Sequence, residues 1–270
     1  MSWLQTPATD TQITHGARLW LYGVAVLVMV LLVIPTLLVI PMSFSASQDL
    51  EFPPREWSVR WYKSYFNSTA WMQATVTSLK AGVLTALLAT PLATMAAYGL
   101  HVSRLRHANL LLMLLLTPMV VPVILIGIGV FYAYVKLKLV NSMLGLVLAH
   151  SMLAIPVVML VVASALKSFD LDQELVARSL GASRIKAFWM VTLPQIKFSV
   201  VTGAVLAFLT SFDEIIVSLF VSGGDNSTLT RNMFNALRDQ VDPTIAAIST
   251  LIVLATTVLL VITQYVGRGK

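Results

Sequence analysis

Long apolar runs, each ended by a short polar or charged stretch, dominate the chain. Six of them are as long as the roughly 20 residues that a helix needs to cross the hydrocarbon core of a bilayer. A segment exposed to lipid must satisfy its own backbone hydrogen bonds, so each run is predicted to be an α-helix. The predicted fold is therefore an all-α membrane protein with six transmembrane helices. The spans lie at about 19–43, 73–100, 108–134, 142–166, 196–221 and 244–266.

The same pattern predicts one membrane domain with two short tails. Residues 1–18 are polar and form the first tail, 19–266 form the transmembrane domain, and 267–270 form the second tail. The first apolar run is about 24 residues long, which exceeds the apolar region of a cleaved signal peptide. We therefore expect it to be an uncleaved first span.

Composition agrees with a membrane protein. Hydrophobic residues make up 57% of the chain and charged residues only 11%, whereas a soluble domain carries about 25% charged residues. The net charge of +6 suits a bilayer with an anionic inner leaflet. No basic stripe with interleaved aromatic residues occurs, so the expected environment is lipid and not nucleic acid. The absence of cysteine excludes disulfides and thiolate metal sites.

The distribution of Lys and Arg gives a predicted orientation. With the N-terminus inside, ten of these residues fall on the inner side and seven on the outer side. The short loop at 104–106 and the basic loop at 167–197 contribute most to this bias. Positive charge in short loops favours the cytoplasmic side. We therefore predict that both termini are cytoplasmic.

Prolines interrupt the third and fourth runs, and a histidine lies in the fourth. Pro118 and Pro122 lie in the third run, and Pro156 lies in the fourth. Proline removes a backbone donor and bends a helix, so these spans either are kinked or are broken around a cavity. His150 is a lone intramembrane histidine. We expect it to link two helices by hydrogen bonds, with a proton relay as the alternative.

Two acidic residues lie inside the fifth run, in the stretch FLTSFDEIIVSLF. Asp213 and Glu214 are adjacent there. A charged side chain near the bilayer centre costs about 2.5 kcal/mol or more, so lipid exposure is excluded. One hypothesis is that at least one acid lines a water-filled path and attracts a cationic solute. The alternative is that the acids pair with a basic or amide group on another helix or on a partner subunit, with Lys80 of the second span as the candidate basic residue.

Helical spacing distinguishes the two acids. Adjacent residues point about 100° apart on a continuous helix, and Glu214 then shares a polar stripe with Ser211, Ser218 and Ser222. Glu214 is the better candidate for the path. Asp213 lines the edge of the path or bonds to a neighbouring helix. The predicted substrate-path residues are therefore Glu214, Asp213, Ser211 and Ser218.

The loop at 168–194, with the sequence SFDLDQELVARSLGASRIKAFWMVTLP, is predicted to form two short helices around a glycine turn. Asp170 is placed to cap the first helix, with Gln173 as its capping-box partner, and Gly181 is placed just beyond the helix end. Ser183 is placed to cap the second helix, and Pro194 to close it. Both helices are amphipathic, so their apolar faces either pack back on the bundle or bind another protein.

This loop resembles the "EAA" loop in permease subunits of binding-protein-dependent ABC importers. That motif reads E-A-A, three residues, G, nine residues, I-x-L-P. Here Gly181 is followed nine residues later by the stretch Val191–Pro194, so the spacing from glycine to proline matches. The start differs, because Leu175–Ala177 stands in place of E-A-A and the acid lies one residue earlier, at Glu174.

The resemblance implies that the loop is the coupling helix that docks on an ATPase subunit. It also implies that ATP and Mg are bound by that partner. The chain has no G-x-x-x-x-G-K-[ST] phosphate loop and no metal-ligand spacing, so we expect no enzyme activity, cofactor or metal in this chain. The residues carried over to the coupling role are Glu174, Ala177, Arg178, Gly181, Ala182, Leu193 and Pro194.

Two further segments, PMSFSASQDLEFPPREWSVRWYKSYF and SFDEIIVSLFVSGGDNSTLTRNMFNALRDQVDPTIAAIST, resemble the spermidine/putrescine branch of these permeases. The resemblance implies import of a polyamine through a bacterial inner membrane. The implied partners are a second homologous permease, two ATPase subunits and a periplasmic or extracellular solute-binding protein. The alternatives are another small solute, such as an amino-acid derivative or an organic cation, an ion-coupled secondary transporter, or a structural scaffold.

Overall fold

The computed structural model describes residues 14–103, 106–239 and 242–268. These ranges are almost entirely helical and contain no β-strand beyond isolated bridges such as that between Ser45 and Trp57. The α-helices are α1 (Leu19–Met42), α2 (Arg60–Asn67), α3 (Thr69–Val102), α4 (Ala108–Leu116), α5 (Val123–Leu137), α6 (Met143–Lys167), α7 (Asp172–Ser179), α8 (Arg184–Ala187), α9 (Leu193–Phe212), α10 (Ile216–Val221), α11 (Leu229–Asp239) and α12 (Thr244–Arg268).

The all-α membrane class predicted from the apolar runs is confirmed. Four helical stretches in the described ranges are long and apolar enough to cross a bilayer, and a fifth is added if one bent helix pair counts as a single span. Helix α12 is apolar over Thr244–Val258. The count of six spans stays a prediction. The four stretches are Gly16–Met42, Thr69–Val102, Met143–Lys167 and Arg184–Phe212.

The third predicted span is not one helix. Helix α4 ends at Leu116, a 3-10 turn covers Thr117–Met119, and α5 begins at Val123. The stretch Leu110–Met119, which includes this turn, and the stretch Val123–Leu137 are bent by 93° relative to each other. Pro118 lies in the turn and Pro122 directly precedes α5, and neither residue can donate a backbone hydrogen bond. The continuous helix predicted over 108–134 is therefore wrong, whereas the predicted interruption by the two prolines is confirmed.

The compact unit formed by residues 68–239 is built around α3, α6 and α9. Small side chains of α3, such as Ala89 and Ala93, pack in one core with Val158 and Val162 of α6. Close approach continues at Gly82, where an added Cβ would lie 2.7 Å from the Phe208 ring. Small residues at helix interfaces let backbones approach closely in membrane proteins. Small residues of α3 therefore line a helix contact surface.

The other unit contains α1, α2 and α12. Helix α1 has no buried residue, as expected for a helix that faces lipid. Its C-terminal end is joined to α2 by a hydrogen bond of 2.7 Å between the hydroxyls of Ser43 and Tyr62. Ser58 accepts a hydrogen bond from the backbone N–H of Arg60 at 3.1 Å and so helps to start α2.

Candidate functional site

The predicted coupling loop is an elbow between α7 and α8. Gly181 has a φ of +95°, in the left-handed region that favours glycine. Its N–H donates to the carbonyl of Arg178 at 3.0 Å, and the N–H of Ala182 donates to the carbonyl of Ala177 at 3.1 Å. This pair of bonds is a Schellman motif. The prediction that Gly181 ends the first helix of the loop is confirmed.

Side-chain caps fix both starts of the elbow. The carboxylate of Asp170 accepts from the backbone N–H of Asp172 at 3.0 Å. The hydroxyl of Ser183 accepts from the backbone N–H three residues further on at 3.3 Å. The predicted cap by Ser183 is confirmed. The N-cap of α7 is Leu171 and not Asp170, which lies one residue earlier and bonds the first helical N–H from there. The predicted capping-box role of Gln173 is wrong, because its side chain instead accepts a hydrogen bond from the side chain of Gln195.

Pro194 does not close the second short helix. It lies at the second residue of α9. Helical structure runs from Arg184 to Phe212, with a π-helical stretch at Phe188–Thr192. The prediction that Pro194 ends a helix is therefore wrong. The elbow instead leads directly into the long helix α9.

The carboxylate of Glu174 faces the helix bundle. The residue is 2% exposed. Its Oε1 accepts from the Tyr98 hydroxyl at 2.6 Å, and its Oε2 accepts from the Thr192 hydroxyl at 2.8 Å. Tyr98 also packs on the Phe188 ring, with centroids 4.6 Å apart. Glu174 thus differs from the other predicted coupling residues, because its side chain is directed into the protein.

The opposite side of the elbow is an exposed apolar surface, which we call the docking face. Leu180 and Ile185 are 84% and 73% exposed. Arg178 and Pro194 are also exposed, whereas Ala177, Ala182 and Leu193 are half-buried. Exposed apolar patches of this kind are typical of surfaces that bind another protein or a membrane. The docking face consists of Leu175, Val176, Leu180, Ile185 and Trp189.

The two acids of the fifth run lie at a helix break. Helix α9 ends at Phe212 and α10 begins at Ile216. Glu214 Oε1 accepts from the backbone N–H of Val217 at 2.8 Å and thereby satisfies a free donor at the start of α10. Asp213 is exposed and Glu214 is half-buried. The continuous helix predicted over 196–221 is therefore wrong.

His150 of α6 joins the two sides of this break. Its Nδ1 lies 2.7 Å from the Ser211 hydroxyl in α9, and its Nε2 lies 3.0 Å from the Ser218 hydroxyl in α10. All three residues are buried. The predicted role of His150 as a link between helices is confirmed. The predicted polar stripe of Ser211, Glu214 and Ser218 is not formed. Both serines face the imidazole, and the helix is interrupted between α9 and α10.

The carboxylates of Asp213 and Glu214 give the helix break a negative charge. Among residues 14–103, 106–239 and 242–268, no Lys or Arg side chain forms an ion pair with Asp213 or Glu214. Lys80, the predicted alternative partner, is exposed. The last carbonyl groups of α9 add the partial negative charge of a helix C-terminus. This arrangement suits a cation better than an anion.

The described helices are those of a membrane protein. Residues 89–269 match the family "Binding-protein-dependent transport system inner membrane component". Since this match covers more than half of the chain, the chain belongs to that family. It is therefore an inner-membrane component of a transport system that works with a solute-binding protein.

Curated relatives extend over most of the chain. The putrescine transport system permease protein PotI of Escherichia coli K12 is 32% identical over 240 residues, which cover 86% of this chain and 85% of PotI. The spermidine/putrescine permease PotC of the same strain is 28% identical over 239 residues, covering 88% and 90%. The molybdenum transport permease ModB of Mycobacterium bovis is 30% identical over 224 residues, covering 77% and 82%.

A solved structure has the same fold. The chain superposes with a TM-score of 0.71 on a chain from the crystal structure of a bacterial ABC transporter involved in import of the acidic polysaccharide alginate. The alignment covers 95% of this chain and 98% of the other, at 14% sequence identity. At this identity the match establishes the fold alone.

Proposed function

We propose that this chain is a permease subunit of an ATP-driven importer that moves a polyamine such as putrescine or spermidine inward. The observation that supports a cationic substrate is the break after α9. Asp213 and Glu214 lie there without a basic partner in the described ranges. Relatives named for putrescine and spermidine transport support the same solute class. The relative named for molybdenum transport keeps a different small solute as the second candidate.

The geometry of the break explains how it would receive an ammonium group. Discontinuous membrane helices in transporters use the carbonyls at a half-helix C-terminus to coordinate cations. Here the C-terminal end of α9 and the exposed carboxylate of Asp213 lie next to each other in the chain. One carboxylate oxygen of Glu214 accepts a hydrogen bond from a backbone N–H at the N-terminus of α10. Asp213 is therefore the better candidate for direct contact with the solute, whereas Glu214 holds the break in shape.

The docking face supports an ATPase partner. Its apolar side chains lie on a rigid elbow that continues into α9. We propose that an ATPase subunit binds there and supplies ATP and Mg, so that the permease itself holds no cofactor. A complete importer would contain two ATPase subunits, a second homologous permease and a solute-binding protein. Both termini of the chain would be cytoplasmic, in a bacterial inner membrane.

Uptake measurements test the solute class. Cells that express the complete importer with Asp213→Asn should take up putrescine with a KM raised by about tenfold, the change expected from loss of one charge-assisted contact. Glu214→Gln should lower the rate of uptake, because it weakens the bond that holds the break in shape. Asp49→Asn, an exposed acid in the other unit, is the control and should change nothing. Wild-type uptake by both variants would contradict a cationic path. Uptake that follows a proton gradient without ATP would instead support a secondary transporter.

A further inference from the structure

A buried carboxylate connects three elements, of which α7 and α9 also share the side-chain hydrogen bond between Gln173 and Gln195. Glu174 lies on α7, Tyr98 lies near the C-terminal end of α3, and Thr192 directly precedes α9. Each carboxylate oxygen of Glu174 accepts one hydroxyl hydrogen bond, at 2.6 and 2.8 Å. We call Glu174, Tyr98 and Thr192 the latch.

Because the Glu174 carboxylate is buried, it favours the one arrangement in which both of its oxygens accept hydrogen bonds. A carboxylate removed from water is costly unless its oxygens are hydrogen-bonded, and hydrogen bonds to an ionised acceptor are shorter and stronger than neutral ones. Glu174 is 2% exposed and has both oxygens satisfied. Any rotation of α7 relative to α3 or α9 would break at least one of these bonds. The three elements should therefore move together.

The latch lies at one end of α9, and the acidic break lies at the other. Helix α9 contains 20 residues, a length of about 30 Å. It is packed along this length, since an added Cβ on Gly203 would lie 2.9 Å from Val158 of α6. A displacement at Thr192 is thus carried by one packed helix to Asp213.

We propose that Glu174 is a positioning residue that transmits movement of the docking face to α3 and α9, and so to the break at Asp213. This proposal rests on the proposed docking of an ATPase at the docking face. It assigns Glu174 to the permease side of the coupling step, because a side chain that is 2% exposed and bonded at both oxygens does not reach a partner protein. Leu175, which is 51% exposed, stands on the outer side instead.

The test compares transport with ATP hydrolysis in the complete importer reconstituted in lipid vesicles. Glu174→Gln, Tyr98→Phe and Thr192→Val each disturb the latch and keep the size of the side chain. The number of solute molecules moved per ATP should fall by about threefold to tenfold, which corresponds to loss of one buried hydrogen bond. ATP hydrolysis and the affinity for the ATPase subunit should stay close to wild type. Asp172→Asn, an exposed acid on the same helix, should change neither quantity.

Three outcomes would overturn the proposal. An unchanged ratio of transport to hydrolysis in all three latch variants would show that the latch transmits nothing. A loss of ATPase affinity in Glu174→Gln, without loss in Tyr98→Phe, would place the carboxylate at the partner interface. If Glu174→Gln fails to assemble, an unchanged ratio in the two hydroxyl variants overturns the proposal equally. The proposed docking is tested separately with Leu180→Asp, which should abolish ATPase binding. Full binding by that variant would refute the proposed docking, whatever the latch variants show.

Discussion

Replacement of His150 by leucine should loosen the helix break. Leucine has a similar volume but forms neither of the bonds of 2.7 and 3.0 Å to Ser211 and Ser218. Hydrogen bonds between membrane helices are worth about 0.6 kcal/mol on average and up to about 1.7 kcal/mol. Two lost bonds therefore correspond to roughly 1–3 kcal/mol. Each freed serine can bond back to a carbonyl of its own helix, so the lower half of this range is expected.

A double-mutant cycle measures the link directly. The thermal midpoint of the purified importer would be recorded for His150→Leu, for Ser211→Ala and for the pair. A loss of about 1–2 kcal/mol should lower the midpoint by about 2–8 °C in a domain of this size. Because the two residues share one bond, their effects should be less than additive by about 0.5 kcal/mol or more. Additive effects would refute the bond as a stabilising contact.

Further substitutions test the elbow and the helix contacts. Gly181→Ala forces an alanine to a φ of +95° and should destabilise the elbow by about 1 kcal/mol, measured as a lower thermal midpoint and a lower ratio of transport to hydrolysis. Gly82→Ala places a Cβ 2.7 Å from the Phe208 ring and should cost about 1–3 kcal/mol, with recovery when Phe208→Leu is added. Leu180→Asp, at a side chain that is 84% exposed, should leave the thermal midpoint of the permease unchanged while co-purification with the ATPase subunit is lost.

Local signals in the sequence predicted most of the helices and the Ser183 cap of the elbow. These features depend on a few neighbouring residues. Asp170 and Ser183 each bond a backbone N–H two or three positions away, and Gly181 is the residue that tolerates the backbone angle of the turn. Apolar length alone located the spanning helices. The position of the elbow could therefore be predicted from neighbouring residues alone.

The helix break after Phe212 has no such local signal. Neither glycine nor proline occurs between Phe212 and Val221, so spacing predicted a continuous helix. The partners that hold the break are distant in sequence. His150 bonds a serine on each side of it, and the Thr230 hydroxyl donates to the carbonyl of Glu214 at 3.2 Å. A tertiary arrangement of this kind overrides helical periodicity, and the adjacent acids were the one clue to it.

Carboxylates at both ends of α9 give the acidic residues of this chain a common physical role. At the first end, Glu174 binds the hydroxyl of Thr192 directly before the helix. At the far end, Glu214 binds the backbone N–H of Val217 directly after it. A helix of 20 residues packed on α3 and α6 moves as a rigid body, so fixing its ends fixes the distance between the elbow and the break at about 30 Å. Asp213 is exposed next to the C-terminal end of α9. Its position relative to the solute then depends on where the elbow places the N-terminal end of α9.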